Sequence, residues 1–234
     1  MPVPFFILAQ LFSTMIQQYT IKFLKGLKNN NTKSWFDAHR QEYDLARKDF
    51  ILLTSQLIKR IGEFDPPIGN LAAKECLFRI NRDVRFSKNK DPYKNNMACY
   101  FNKGGKKANG AGYYFHLEPG KSFAGGGIWM PLPADLAKIR QEIDYDLDGW
   151  TRIISGSNFK KFFFEGVDST DVLQRPPKGY AAENPAMPFL KMKSFVVTRS
   201  FTDAEIKADN FATSVAKTFQ AMKPMIDFIN TAVD

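Results

Sequence analysis

A chain of 234 residues can bury a sizeable core and still form one domain, and 44% hydrophobic with 24% charged residues excludes a disordered or fibrous polymer. The formal net charge of +9 favours anionic partners. Two cysteines exclude a disulfide scaffold, and no run approaches the ~20 apolar residues of a membrane helix, so Cys76 and Cys99 read as reduced, buried thiols of a cytoplasmic protein with no membrane partner.

Residues 5–12 are apolar, but no Lys or Arg precedes them and no small-residue cleavage site follows, which argues against a secretory signal. The expectation is that Met15 is the biological start and 1–14 an extension, with a short docked helix as the alternative. Phe23, Leu24 and Leu27 set a helix over 17–27, closed by Asn29-Asn30-Asn31. Thr32 reads as the N-cap of a long helix over 33–62, whose apolar stripe runs from Trp35 and Phe36 through Phe50 and Leu57 to Ile61. Asp65-Pro66-Pro67 ends it.

Strands follow. Residues 77–83 alternate, with Phe78 and Ile80 on one face and Arg79, Asn81 and Asp83 on the other. Further strands are predicted at 97–102, 113–118, 122–130 and 193–201, with Gly125-Gly126-Gly127 as a bulge or a close backbone approach. Pro133 starts a helix that continues or restarts through Leu147 and Ile154, 159–185 is irregular, and Thr202-Asp203 caps a closing helical region that Pro224 should kink or restart. The 22 Phe residues point to an aromatic core anchored by Trp35, Trp129 and Trp150. The fold class is α+β: one domain over 15–234, its central, mainly antiparallel sheet flanked by N-terminal and C-terminal helices.

Function is concentrated in residues 78–96. Arg79, Arg82, Arg85, Lys88, Lys90 and Lys94 stand there against Asp83 and Asp91, interleaved with Asn81, Ser87, Tyr93 and Asn95. Forked guanidiniums and compact ammonium groups together suit an anion with several oxygens, and Ser87, Lys88 and Lys90 read as a phosphate clamp. Tyr114, His116 and Glu118 share one face of the 113–118 strand. If that face meets the polar face of 77–83, a cation-rich cleft results in which His116 is the acid or base and Asp83 or Glu118 orients it. The bland reading is a solvated surface with ion pairs. Asp144, Asp146 and Asp148 mimic the start of a calcium loop, but Ser155 stands where the closing Glu belongs. No metal site and no cofactor motif is expected.

The same run carries a resemblance, together with Asn30, Asn31, Trp35, Phe36 and Arg40, the segment Tyr113–Gly120, Gly125-Gly126-Gly127, Trp129, Pro131, Arg140, and Arg175, Pro176, Lys178, Gly179 and Tyr180. In these the chain resembles the domain of unknown function 2461 family over everything after about Met15. The resemblance implies a single α+β domain and no assigned activity. The reading is therefore an anionic, phosphorylated small molecule as ligand, with enzyme status and oligomeric state left open. Nucleic acid on a basic groove lined by Phe86, Tyr93, Tyr100 and Tyr113, or an acidic protein partner, are the alternatives.

Overall fold

The computed structural model describes residues 15–234, so the expectations for 1–14 lie outside the described residues. The fold is α+β, with helices flanking a four-stranded antiparallel sheet whose strands lie in sequence order, β1-β2-β3-β4. Among the described residues, no helix is long and apolar enough to cross a membrane.

Helix α1 (Gln18–Asn29) buries Ile21, Phe23, Leu24 and Leu27, the spacing its sequence set. Thr32 caps α2 (Lys33–Ala38), its Oγ accepting from the Trp35 backbone N–H at 3.3 Å. The long helix expected over 33–62 is instead two, since α3 (Arg40–Gly62) restarts after His39. At His39 the backbone turns to φ −108°, ψ 24°. Its Nδ1–H donates to the Trp35 carbonyl at 2.8 Å, an oxygen that also takes the His39 backbone N–H, and its ring stacks on Trp35 at 3.9 Å. A side chain sharing a helical carbonyl in this way tightens the turn and breaks the ladder. Asp49 of α3, 2% exposed, closes the other end of the layer by accepting from Gln17 N–H at 3.0 Å and Thr20 Oγ at 2.6 Å. Burial pushes its carboxyl above the usual range, and the two hydrogen bonds pull it back.

The 3-10 turn Pro66–Asn70 follows α3, then α4 (Ala73–Cys76). Residues 77–83 require the main correction. They form no strand, only two isolated antiparallel bridges, Leu77 to Cys99 and Asn81 to Tyr93. Between those bridges, residues 78–80 on one side face 94–98 on the other, and the mismatch prevents a regular ladder. The faces are scrambled accordingly: Ile80 is buried, whereas Phe78 is 41% exposed.

Strands β1 (Met97–Phe101), β2 (Gly112–Leu117), β3 (Ser122–Ile128) and β4 (Phe195–Phe201) fall close to their expected bounds. So do α5 (Pro133–Tyr145) and α6 (Leu147–Ser155), while α7 (Ser157–Phe162) enters a segment read as irregular and is followed by α8 (Met187–Leu190). Thr202 and Glu205 form a reciprocal capping box, yet it opens only the 3-10 turn Glu205–Lys207. The closing helix α9 (Phe211–Val233) runs through Pro224 without a second start.

By its contacts the chain divides into two units. Of the described residues, the first comprises those up to Phe101, Tyr114–Ala124 and Ser200–Lys217. In it Phe115 of β2 packs on Phe50 and Phe211, and Cys76 and Cys99 are both buried thiols. Burial pushes the Cys99 thiol far up. The second comprises Asn102–Tyr113, Gly125–Arg199 and Thr218–Asp234. Trp150 is its fully buried anchor, set edge-on to Phe195 and beside Phe228. Trp129, expected in the core as well, is 69% exposed because it follows the end of β3, where alternation no longer buries it.

Candidate functional site

The site grows from the two-residue period of β2, and all of it belongs to the first unit. Phe115 and Leu117 point into the core, so Tyr114, His116 and the following Glu118 emerge half-buried on the opposite face. Tyr114 Oη lies 3.1 Å from His116 Nδ1, and His116 Nε2 lies 3.3 Å from Glu118 Oε2. Burial holds the His116 pKa below its ordinary value, against the pull of Glu118, and pushes the Tyr114 phenol up to about 12. A neutral imidazole carries one N–H, and a carboxylate accepts. Nε2–H therefore donates to Glu118, and Nδ1 accepts the Tyr114 hydroxyl proton. Phe123 on β3 locks the row by stacking on His116 at 4.9 Å.

Distant segments converge on this row. Lys28 at the end of α1 places its ammonium 3.6 Å from Glu118, and Asn95 donates to the same carboxylate at 3.3 Å. At the other end the Phe78 ring meets Tyr114 edge-on at 6.1 Å. The Lys94 ammonium sits over Phe78 at 5.5 Å, where burial and then the charge of Arg79 lower its pKa. Among the described residues, neither Arg79 nor Lys94 forms an ion pair with a carboxylate.

The rest of the predicted set lies elsewhere. Arg82 is spent inside its own loop, donating to the Asp91 carbonyl at 3.1 Å and Ser87 Oγ at 3.3 Å. Asp83 takes a two-pronged bond from Arg85 at 3.0 and 2.6 Å, on the exposed surface, and Glu118 alone faces His116. Lys90 donates to the Val84 carbonyl at 3.0 Å, and Asn81 and Lys88 are exposed. Tyr93 is 7% exposed, stacked on Phe36 at 4.1 Å, with its backbone N–H and carbonyl both held by the Asn31 amide. The aspartates of the calcium-like run disperse: Asp146 caps α6 through Gly149 N–H, and Asp144 accepts from Asn184 at 2.6 Å.

Sequence reasoning missed Lys28, Phe78 as the ring under Lys94, and Phe123. Phe123 was legible in principle, since it alternates with the buried Ala124 on a strand paired to β2. Lys28 carried no signal, because a lysine at a helix end is ordinarily solvated.

A family model described as conserved hypothetical protein (DUF2461) matches residues 19–228, a span that contains every residue of this site. Comparison with curated proteins and with solved structures finds no match.

Proposed function

Because the chain belongs to the DUF2461 family of conserved hypothetical proteins, whose description brings no activity with it, we propose from the geometry that it binds an anionic, phosphorylated small molecule beside the Tyr114-His116-Glu118 row. One observation carries the reading: the Lys94 ammonium is held half-buried over Phe78, within reach of the Arg79 charge, and forms no ion pair with a carboxylate among the described residues. Lys94 is partly desolvated and is repelled by the exposed Arg79, and an anion between them relieves both penalties. The row next to them presents a protonated phenol whose orientation is fixed through His116 to Glu118, a group suited to a ligand hydroxyl or phosphoryl oxygen. Proton transfer through His116 would require one of its two nitrogens to exchange its present partner for the ligand.

Thermal unfolding with inorganic phosphate, pyrophosphate and a panel of sugar phosphates tests the reading. A ligand at a hundred times its Kd adds about 2.7 kcal/mol of stability, which for a chain of this size raises Tm by roughly 5–10 °C. Lys94→Ala and Arg79→Ala should abolish that rise. No stabilisation by any of these anions, or a rise indifferent to both substitutions, overturns it.

One observation favours a macromolecular partner instead. Phe86 is 96% exposed at the tip of the cationic loop, beside Arg85. Tyr93 and Tyr113, however, are buried and offer no stacking surface to nucleic acid. Steeply salt-dependent retention on single-stranded DNA or RNA, lost in Phe86→Ala, would favour this second reading.

A further inference from the structure

An open groove of about 720 Å³ lies between the end of α1, the start of α2 and Asp91, a size within the roughly 300–1,000 Å³ of small-molecule sites. Its lining differs in kind from the cationic row. Both charges in it are already answered within the protein: Lys28 faces Glu118 at 3.6 Å, and Asp91 faces Arg82 at 4.0 Å. No net charge is left over to select an ion. What remains unengaged is neutral and two-sided. The Asn29 amide takes no protein partner among the described residues, and Asn30 uses its N–H on the Gly26 carbonyl at 3.0 Å while its amide oxygen is left over. Ser34 contributes a hydroxyl, 3.2 Å from that of Thr32.

The groove also has a rigid aromatic wall. The Trp35 indole is clamped by His39 on one face, and a Cβ at Gly26 would come within 2.9 Å of its ring, so the glycine is what lets the indole lie against α1. Its ring N–H has no acceptor among the described residues. An indole contributes apolar surface with one donor at its edge, and amides and hydroxyls each both give and accept hydrogen bonds.

A ligand that matches this set carries many groups that donate and accept at once, an apolar face and no charge. We propose that the groove binds a neutral saccharide, with its hydroxyls on Asn29, Asn30 and Ser34 and its C–H face or ring edge against Trp35. The sugar contacts proposed here, Asn29, Asn30, Ser34 and Trp35, are not residues of the anion site, although Lys28 borders both.

The test is a titration of the 15N-labelled full chain with glucose, galactose, mannose, N-acetylglucosamine and their disaccharides at millimolar concentration, reading the side-chain amide signals of Asn29 and Asn30 and the Trp35 indole N–H. Saturable shifts at these signals with at least one sugar are expected, with Trp150 unmoved. Asn29→Ala and Ser34→Ala, both at exposed positions, should each weaken that sugar by about tenfold without lowering Tm. Inorganic phosphate should leave the same signals in place. Absence of saturable shifts with every sugar overturns the proposal, as does binding unchanged in both variants. Shifts at Asn29 that phosphate produces and sugars do not would also overturn it, by making the groove an arm of the anion site.

Discussion

Gly127 offers a sharp test of the packing on which the sheet depends. Its φ of +116° is a conformation that side chains disfavour, and an alanine Cβ there would sit 1.9 Å from the Phe195 carbonyl oxygen. The obstacle is backbone of the neighbouring strand, which cannot swing away as a side-chain tip can. Gly127→Ala therefore combines conformational strain of about 1–3 kcal/mol with a steric penalty of about 1–3 kcal/mol. A total of about 2–6 kcal/mol corresponds to a fall in Tm of roughly 4–24 °C for a chain of this length. Gly120 supplies the control: its φ is +76°, but nothing lies within 4 Å of the added Cβ. Gly120→Ala should then show strain alone, about 1–2 kcal/mol. Thermal unfolding followed by circular dichroism, with both variants at one protein concentration, separates the two contributions. Equal losses in the two variants, or a Gly127→Ala protein as stable as the parent, would refute the claim that strand approach fixes this glycine.

Three further outcomes are expected. Burial raises the Asp49 pKa, so the folded state keeps a proton that the unfolded chain has released, and stability falls as pH rises from the ordinary carboxylate range through the raised folded value. Asp49→Asn should flatten that slope in urea unfolding, and an unchanged pH profile would contradict it. The folded state depresses the His116 pKa, so its contribution to stability is lost as pH falls from the ordinary value of about 6.5 through the lower folded one. Glu118→Gln should lower that pKa further by removing the group that pulls it up; an NMR titration of the imidazole showing it unchanged or raised would break the assignment of Glu118. Thr32→Ala should remove about 1 kcal/mol from the urea unfolding free energy, and Thr32→Ser almost none, because the cap needs only the hydroxyl.

The fold and the site were legible in the sequence to different depths, for a physical reason that the residues make plain. Alternation assigns faces correctly where a ladder is regular: Phe115 and Leu117 of β2 are buried, and Tyr114 and His116 share the other side, as the spacing predicts. The same alternation at 77–83 misleads, because unequal segments between the Leu77 and Asn81 bridges uncouple sequence parity from the sheet and turn Phe78 outward. That failure nevertheless builds the site, since the outward Phe78 is the surface on which Lys94 rests. Charge counting has a similar limit. It finds the cationic run but not which charges are consumed within it, and the loop answers its own by pairing Arg85 with Asp83 and folding Arg82 onto Ser87 and Asp91. Such pairs at the surface stabilise little, about 0–1 kcal/mol each, yet they narrow which cations the proposed anion site can use. A cation that already holds a neighbour must give it up to hold a ligand, whereas Lys94 has no carboxylate to give up and Arg79 feels Asp83 only through space, at a carboxyl already held by Arg85. In the proposed reading, the anion is therefore held by these two and by the row beside them, not by the total charge of the run.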